Sequence, residues 1–321
     1  MTFQIRHWTS GVLMLAFWAA TASQTLSAET RVRIASDNTS VTVFSGERPI
    51  LQYRHGDVPF KPYVAQLYTP GGVQILRDSP FDHKHHHALM FAIGADGVDF
   101  WSETPKCGHQ KGRALGQVKS VVQNGVARAS FNQELDWLGP GSDKPVMLEQ
   151  RAIEVSPLTD GGPVTLLTWR TRLQTPPGKD AVTLTGSHYF GLGMRFVTSM
   201  DKGGQFFNAE GKPGIGVRGS ELLSAAKWCA YTAAADGKTV TVATFDHPQN
   251  ARHPARMFTM TVPFAYLSAT LNLWKEPLTL AAGKPLALCY GAALWDGKIE
   301  TADVEKVYQQ WVAGTPVEPA K

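Results

Sequence analysis

Hydrophobic and polar residues alternate with period two along most of this chain. Leu167, Trp169, Thr171 and Leu173 interleave with Thr168, Arg170 and Arg172, as in a strand with one face buried. Shorter alternating runs lie at 31–35, 40–44 and 50–53. The stretch 116–122 meets 127–131 across Asn124-Gly125, a strong hairpin signal. Residues 88–93, 94–97 and 98–101 read as strand, tight turn, strand. Asp160-Gly161-Gly162, Asp236-Gly237 and Asp296-Gly297 mark further turns. Only the end of the chain has helical spacing. Val304, Val307, Tyr308 and Trp311 fall at i, i+3, i+4 and i+7. Thr301 is placed to cap that helix, with Asp303 and Glu305 in its first turn. The pattern predicts an all-β protein: a large antiparallel β-sandwich with a short C-terminal helix, forming a single domain over 29–321.

The first residues break the pattern. Arg6 and His7 precede an apolar stretch at 12–20, and small residues follow up to Ala22 and Ala28. This reads as a secretory signal peptide over 1–28, which implies a periplasmic or secreted protein. The apolar stretch falls short of the roughly 20 residues that span a bilayer. No other segment is long and apolar enough, so no membrane span is expected after cleavage. Losing Arg6 takes the formal charge from +4 to +3. That is too weak and scattered to argue for nucleic acid. The three cysteines, Cys107, Cys229 and Cys289, allow at most one disulfide, with Cys229 and Cys289 as the candidate pair.

The densest chemistry is Asp82-His83-Lys84-His85-His86-His87, which holds four of the ten histidines. If the following strand starts there, His83, His85 and His87 share one face and His86 points the other way. Imidazoles so placed bind a metal, move protons near neutral pH or hold a polar ligand. Glu149 and Arg151 also share a strand face; they read as a base or sugar clamp, or equally as a cross-strand ion pair. His188 and Tyr189 sit beside Gly191 and Gly193, which permit close approach. Asp246, His247 and Asn250 lie on a loop stiffened by Pro248 and Pro254. Trp101, Trp137, Trp228 and Trp274 lie near polar or turn segments, where an indole face can stack on a sugar ring. Gly214-Ile215-Gly216-Val217-Arg218-Gly219 matches GxGxxG but lacks the βαβ setting a dinucleotide site needs.

Several stretches together resemble the PmoA-like family of secreted bacterial proteins. They are Lys61-Pro62-Tyr63 with 69–72, Asp82-His83-x-His85-His86, and 97–101 ending in Trp101. Further on come Leu148-Glu149-x-Arg151, 191–195, Trp228-Cys229-x-Tyr231, 246–254, and 283–286 with Tyr290 and Asp296-Gly297. The family usually has Pro at position 84 and often Arg-Gly at 87–88, so Asp82, His83, His85 and His86 carry over. The resemblance implies a β-supersandwich of the galactose-mutarotase type. The methane oxygenase label attached to the family does not fit a chain that reads as β and lacks spanning helices.

The resulting expectation is an exported carbohydrate-active protein with a sugar or glycan on a concave sheet face. Its chemistry would be of the hydrolase, lyase or epimerase type. The catalytic candidates are His83, His85, His86, Glu149, His188 and Asp246. The expected ligand contacts are Asp82, Asp99, Trp101, Arg151, Tyr189, Arg195, His247 and Asn250. Two alternatives stand beside it. In the first, His83 and His85, with Asp246 or His188, hold a divalent metal such as Zn²⁺ or Cu²⁺. In the second, the protein is a carbohydrate-binding module without turnover.

Overall fold

A computed structural model of the chain describes residues 1–2, 32–123, 125–158 and 162–317. The expected signal peptide, apart from its first two residues, and its expected cleavage site lie outside these residues. Alternation builds two large sheets in which every pairing is antiparallel. The first has ten strands. Val32–Ser36, Ser40–Ser45, Arg48–Arg54, Tyr63–Leu67 and Leu89–Ala92 form one half. Gly191–Arg195, Tyr266–Thr270, Arg256–Met260, Glu221–Ala225 and Ile215–Arg218 continue it. The second has nine. It runs from Gln205–Asn208 through Trp228–Ala235, Lys238–Asp246, Leu286–Asp296, Val164–Gln174, Pro145–Leu158 and Val126–Leu138 to His109–Leu115, with Lys119–Gln123 paired on Val126–Leu138. A small sheet of Leu278–Ala281, Ala181–Thr185, Gly94–Ala95 and Val98–Asp99 lies beside them.

The two large sheets pack face to face. Phe91 meets Trp137 across the interface, with ring centroids 6.2 Å apart. Tyr53 Oη donates to Gln133 Oε1 at 2.8 Å. The expected strand face at Leu167, Trp169, Thr171 and Leu173 is buried in this core. Its other face is not solvated as the pattern predicts, because Thr168 and Arg170 are buried too. The C-terminal helix Thr301–Gly314 covers that side. It lays Val304, Val307, Tyr308 and Trp311 against Trp228, Phe245 and Cys289, and Trp311 Nε1 donates to Thr168 Oγ1 at 2.9 Å. Thr301 is the first helical residue; the cap position belongs to Glu300, whose side chain makes no capping bond.

The Asp236-Gly237 hairpin forms as expected, both residues having positive φ (48° and 81°) as a tight two-residue hairpin loop requires. The strands on either side of Asn124-Gly125 pair from Val126 to Gln123. The GxGxxG stretch forms an exposed edge hairpin between Ile215–Arg218 and Glu221–Ala225. Cys107, Cys229 and Cys289 are all free and buried. Cys229 faces the core between the sheets while Cys289 faces the helix, so the sheet separates the expected pair. Among the described residues, no helix is long and apolar enough to cross a membrane.

Candidate functional site

The histidine run is a pair of turns rather than the start of a strand. His83 N–H donates to the Pro80 carbonyl and His86 N–H to that of His83, each at 2.9 Å, and Ser79 N–H closes back on the His86 carbonyl at 3.0 Å. Ser79 and Ala88, with φ of 42° and 44°, bracket the segment. This backbone region strongly favours glycine. Turning the chain here reverses the predicted facing. His83, His85 and His86 gather, with ring centroids 4.5–5.8 Å apart. It is His87 that turns away.

The gathered rings lie against the outer face of the ten-stranded sheet. In register, Gly193 opposes Met90 on one side and Ser268 on the other, and Phe258 follows Ser268. Tyr266 lies two residues from Ser268 on the same face and meets His86 at 5.1 Å. Trp101, delivered by the turn after Val98–Asp99, stacks on Phe190 at 5.0 Å and meets Tyr189 edge-on at 5.4 Å. Phe264 packs on His83 at 4.7 Å and under the Arg195 guanidinium at 3.6 Å. Gly193 is what lets this layer sit so low. A Cβ there would collide with Tyr266 Oη and press on Trp101 at 3.0 Å. Gly193→Ala is therefore expected to cost about 1–3 kcal/mol by overpacking and to shift the tryptophan emission. Wild-type stability in a urea titration would show that the layer does not rest on this strand.

Five buried polar atoms in this layer have no hydrogen-bond partner among the described residues: His86 Nδ1, Trp101 Nε1, Arg195 Nε, Tyr266 Oη and Ser268 Oγ. Buried polar atoms are normally paired, so five in one layer make it the candidate site. Asp82 and His83 stand at its exposed rim, 3.1 Å apart. At the other end, His188 Nε2 lies 3.0 Å from Glu221 Oε2. His188 also meets Tyr189 at 5.0 Å and the half-exposed Trp274 at 5.9 Å.

An ionic chain, buried except at Asp78, holds the layer from beneath. Lys61 Nζ donates to the Trp101 carbonyl at 3.0 Å and pairs with Glu103. Glu103 reaches His87 Nε2, and His87 Nδ1 reaches Asp78, both at 2.8 Å. Asp99 Oδ1 accepts from the N–H groups of Trp101 (2.7 Å) and Ser102 (3.1 Å), so it fixes the tryptophan turn. These partners give neighbouring histidines opposite characters. Burial, reinforced by His85 and His83, pushes His86 down to about 2. Burial and then Lys61 also lower His85. Burial opposes the charge on His87 as well, but the Asp78 and Glu103 carboxylates outweigh it and raise its pKa. His86 is therefore a neutral hydrogen-bonding group near pH 7.

The structure places the other candidates elsewhere. Glu149 and Arg151 are sealed between the sheets with no exposed side-chain surface. Glu149 accepts from Arg151 and Thr171 through Oε1, and from Trp137 and Arg151 through Oε2. Arg151 also donates to the Pro62 carbonyl and Gln110. The pair has no open side for a ligand. Asp246 is filled by Asn250, His253 and the Ala255 N–H at 2.7–2.8 Å, and Asn250 bonds both backbone groups of Cys289. His247 packs on Trp311 at 5.5 Å. This loop is a clamp beside the C-terminal helix, and burial raises Asp246. Among the described residues, no group of three or more His, Cys, Asp or Glu side chains is arranged to hold a metal ion. Asp246 in particular is committed to its own loop.

Lys61, Asp78, Glu103, Glu221, Tyr266 and Ser268 belong to the site region but were not singled out from sequence. They are separated along the chain, and no local pattern joins them. Lys61 and Tyr63 lay in a stretch that carried the family resemblance.

The sequence pattern of a family of unknown function, DUF6807, matches residues 40–309. No curated protein matches the chain. Among solved structures, one similar chain is a glycoside hydrolase family 97 enzyme variant from Pseudoalteromonas sp. strain K8, at 8% identity and a TM-score of 0.39. That match covers 82% of this chain and 33% of the other. Another is described as a kojibiose phosphorylase from the human microbiome, at 11% identity and a TM-score of 0.29, covering 87% of this chain and 32% of the other. This chain thus spans about a third of the length of either.

Proposed function

We propose, for a chain that belongs to the DUF6807 family of unknown function, that it is an exported protein binding a sugar or glycan on the outer face of the ten-stranded sheet. The observation that carries the reading is the set of five unpartnered polar atoms set among buried aromatic rings. Ring faces suit the C–H surfaces of a pyranose, and fixed donors suit its oxygens. Arg195, Tyr266, Ser268, Trp101 and neutral His86 would orient the ligand. Proton transfer falls to two histidines at the ends of the layer, each with a carboxylate within reach. These are His83 with Asp82 at the rim and His188 with Glu221 at the far end. A carboxylate beside an imidazole orients the ring and fixes which nitrogen carries the proton. The enzyme reading, of hydrolase, lyase or epimerase type, rests on these two pairs.

Titrating the protein with a panel of mono- and oligosaccharides is expected to give saturable quenching of tryptophan fluorescence, abolished by Trp101→Ala. His83→Ala is expected to keep binding and to lower turnover by at least about 100-fold. Absence of saturable binding across the panel would sink the reading. Binding with no turnover in the wild type would make the protein a carbohydrate-binding module.

A further inference from the structure

The unpartnered atoms of the site share one property. The indole Nε1 of Trp101 and the guanidinium Nε of Arg195 can only donate a hydrogen bond. The hydroxyls of Tyr266 and Ser268 and Nδ1 of His86 can donate as well. None of the five is an obligate acceptor. All five residues are more than nine-tenths buried, so their preference for a partner is not diluted by bulk water.

The charge balance points the same way. Asp201 lies 3.4 Å from Arg195 Nη1 and 3.9 Å from Arg77 Nη1, so two guanidiniums share one carboxylate. Part of that carboxylate's capacity goes to the Ala265 N–H at 3.0 Å. Lys61 and His87 are balanced by Glu103 and Asp78, and the remaining carboxylate on this side, Asp99, is turned onto the N–H groups of Trp101 and Ser102. Asp82 is the opposing group at the rim, and His83 holds it. Arg218 at the far end is committed to Glu221 at 2.7 Å. The site therefore offers a donor surplus and one under-compensated cation.

We propose that this site takes a sugar carrying an oxyanion, either the carboxylate of a uronic acid or a sulfate ester, with Arg195 as the residue that selects it. The inference rests on the sugar-binding reading above and adds the class of ligand to it. An acceptor-rich anion is the chemistry that satisfies several convergent donors beside a guanidinium.

The test pairs charged and neutral versions of the same ligands. Uronic-acid oligosaccharides are compared with their carboxyl-reduced counterparts, and sulfated oligosaccharides with their desulfated ones, by calorimetry on the intact protein. At least one charged member should bind ten-fold or more tighter than its neutral partner, and the class that does so identifies the oxyanion. Arg195→Met should reduce that ratio below two-fold, while Arg195→Lys should keep part of it. Because Arg195 is buried and its variants can misfold, the wild type is also titrated at rising ionic strength, where the charged member alone should weaken. Equal binding within every pair, or tighter binding of the neutral member, would overturn the oxyanion and leave the sugar reading standing. No binding in any pair would overturn both.

Discussion

Arg151→Met is expected to destabilise the protein by about 3–5 kcal/mol, the usual cost of orphaning one member of a buried ion pair. The cause is what it leaves behind. Glu149 has no exposed side-chain surface, and its carboxylate would keep Trp137 and Thr171 but lose the cation. The Pro62 carbonyl and Gln110 Oε1 would lose their donor as well. Typical domains are stable by only about 5–15 kcal/mol, so this one change removes a large share. The double variant Glu149→Leu/Arg151→Met should be no worse than the single, because it removes the stranded charge. Guanidinium titration of the wild type, both singles and the double measures the coupling, expected at about 1–3 kcal/mol. Additive losses would mean that the two side chains do not depend on each other. Ligand affinity should not follow these losses, since the pair lies between the sheets.

Stability should also peak near pH 6.5 and fall on both sides, with adjacent histidines responsible for the two limbs. On the acid side, His86 refuses a proton in the folded state down to about 2, whereas the unfolded chain accepts one at about 6.5. The unfolded state then binds more protons, so stability falls by up to ~1.4 kcal/mol per pH unit below that point. His85, also lowered, adds to this limb. Asp78 and Glu103, both lowered by their partners despite burial, lose their contribution only as the pH falls through their folded-state values. On the alkaline side the sign reverses. His87 is raised, so its contribution is whole below about 6.5 and is lost as the pH rises through its folded value. His86→Phe should flatten the acid limb. His87→Arg should keep the cation and flatten the alkaline one. Melting curves at pH 4.5, 6.5 and 8.5 separate these cases; an acid limb unchanged in His86→Phe would acquit that histidine.

The sheets, the hairpins and the helix stripe were legible because each depends on local alternation or turn chemistry. What the pattern could not supply was the second cover of a strand. Thr168 and Arg170 look solvent-facing in sequence but lie under a helix that begins more than a hundred residues later. The facing of Glu149 and Arg151 carried a readable clue: Met147, Ile153 and Val155 share their parity and are buried, so the pair continues an apolar face. The histidine run was wrongly faced, because two positive-φ residues replaced a strand with turns. The donors at Tyr266 and Ser268 gave no signal at all. They read as ordinary members of a buried strand, and only the register against Gly193 shows that they face the histidines.

The position of Leu286–Asp296 has a consequence for how the molecule comes into being. This last strand is not at an edge; it is the joint between Lys238–Asp246 and Val164–Gln174. Its terminal Asp296 also grips Thr69 Oγ1 and the Gly71 N–H, both at 2.6 Å. Two halves of the nine-stranded sheet, made earlier, have no ladder between them until this segment arrives. Contacts across such sequence separations form late, because a long loop must close before they return any energy. Closure of the nine-stranded sheet therefore waits on Leu286–Asp296, and a chain cut before residue 286 leaves its two halves unjoined.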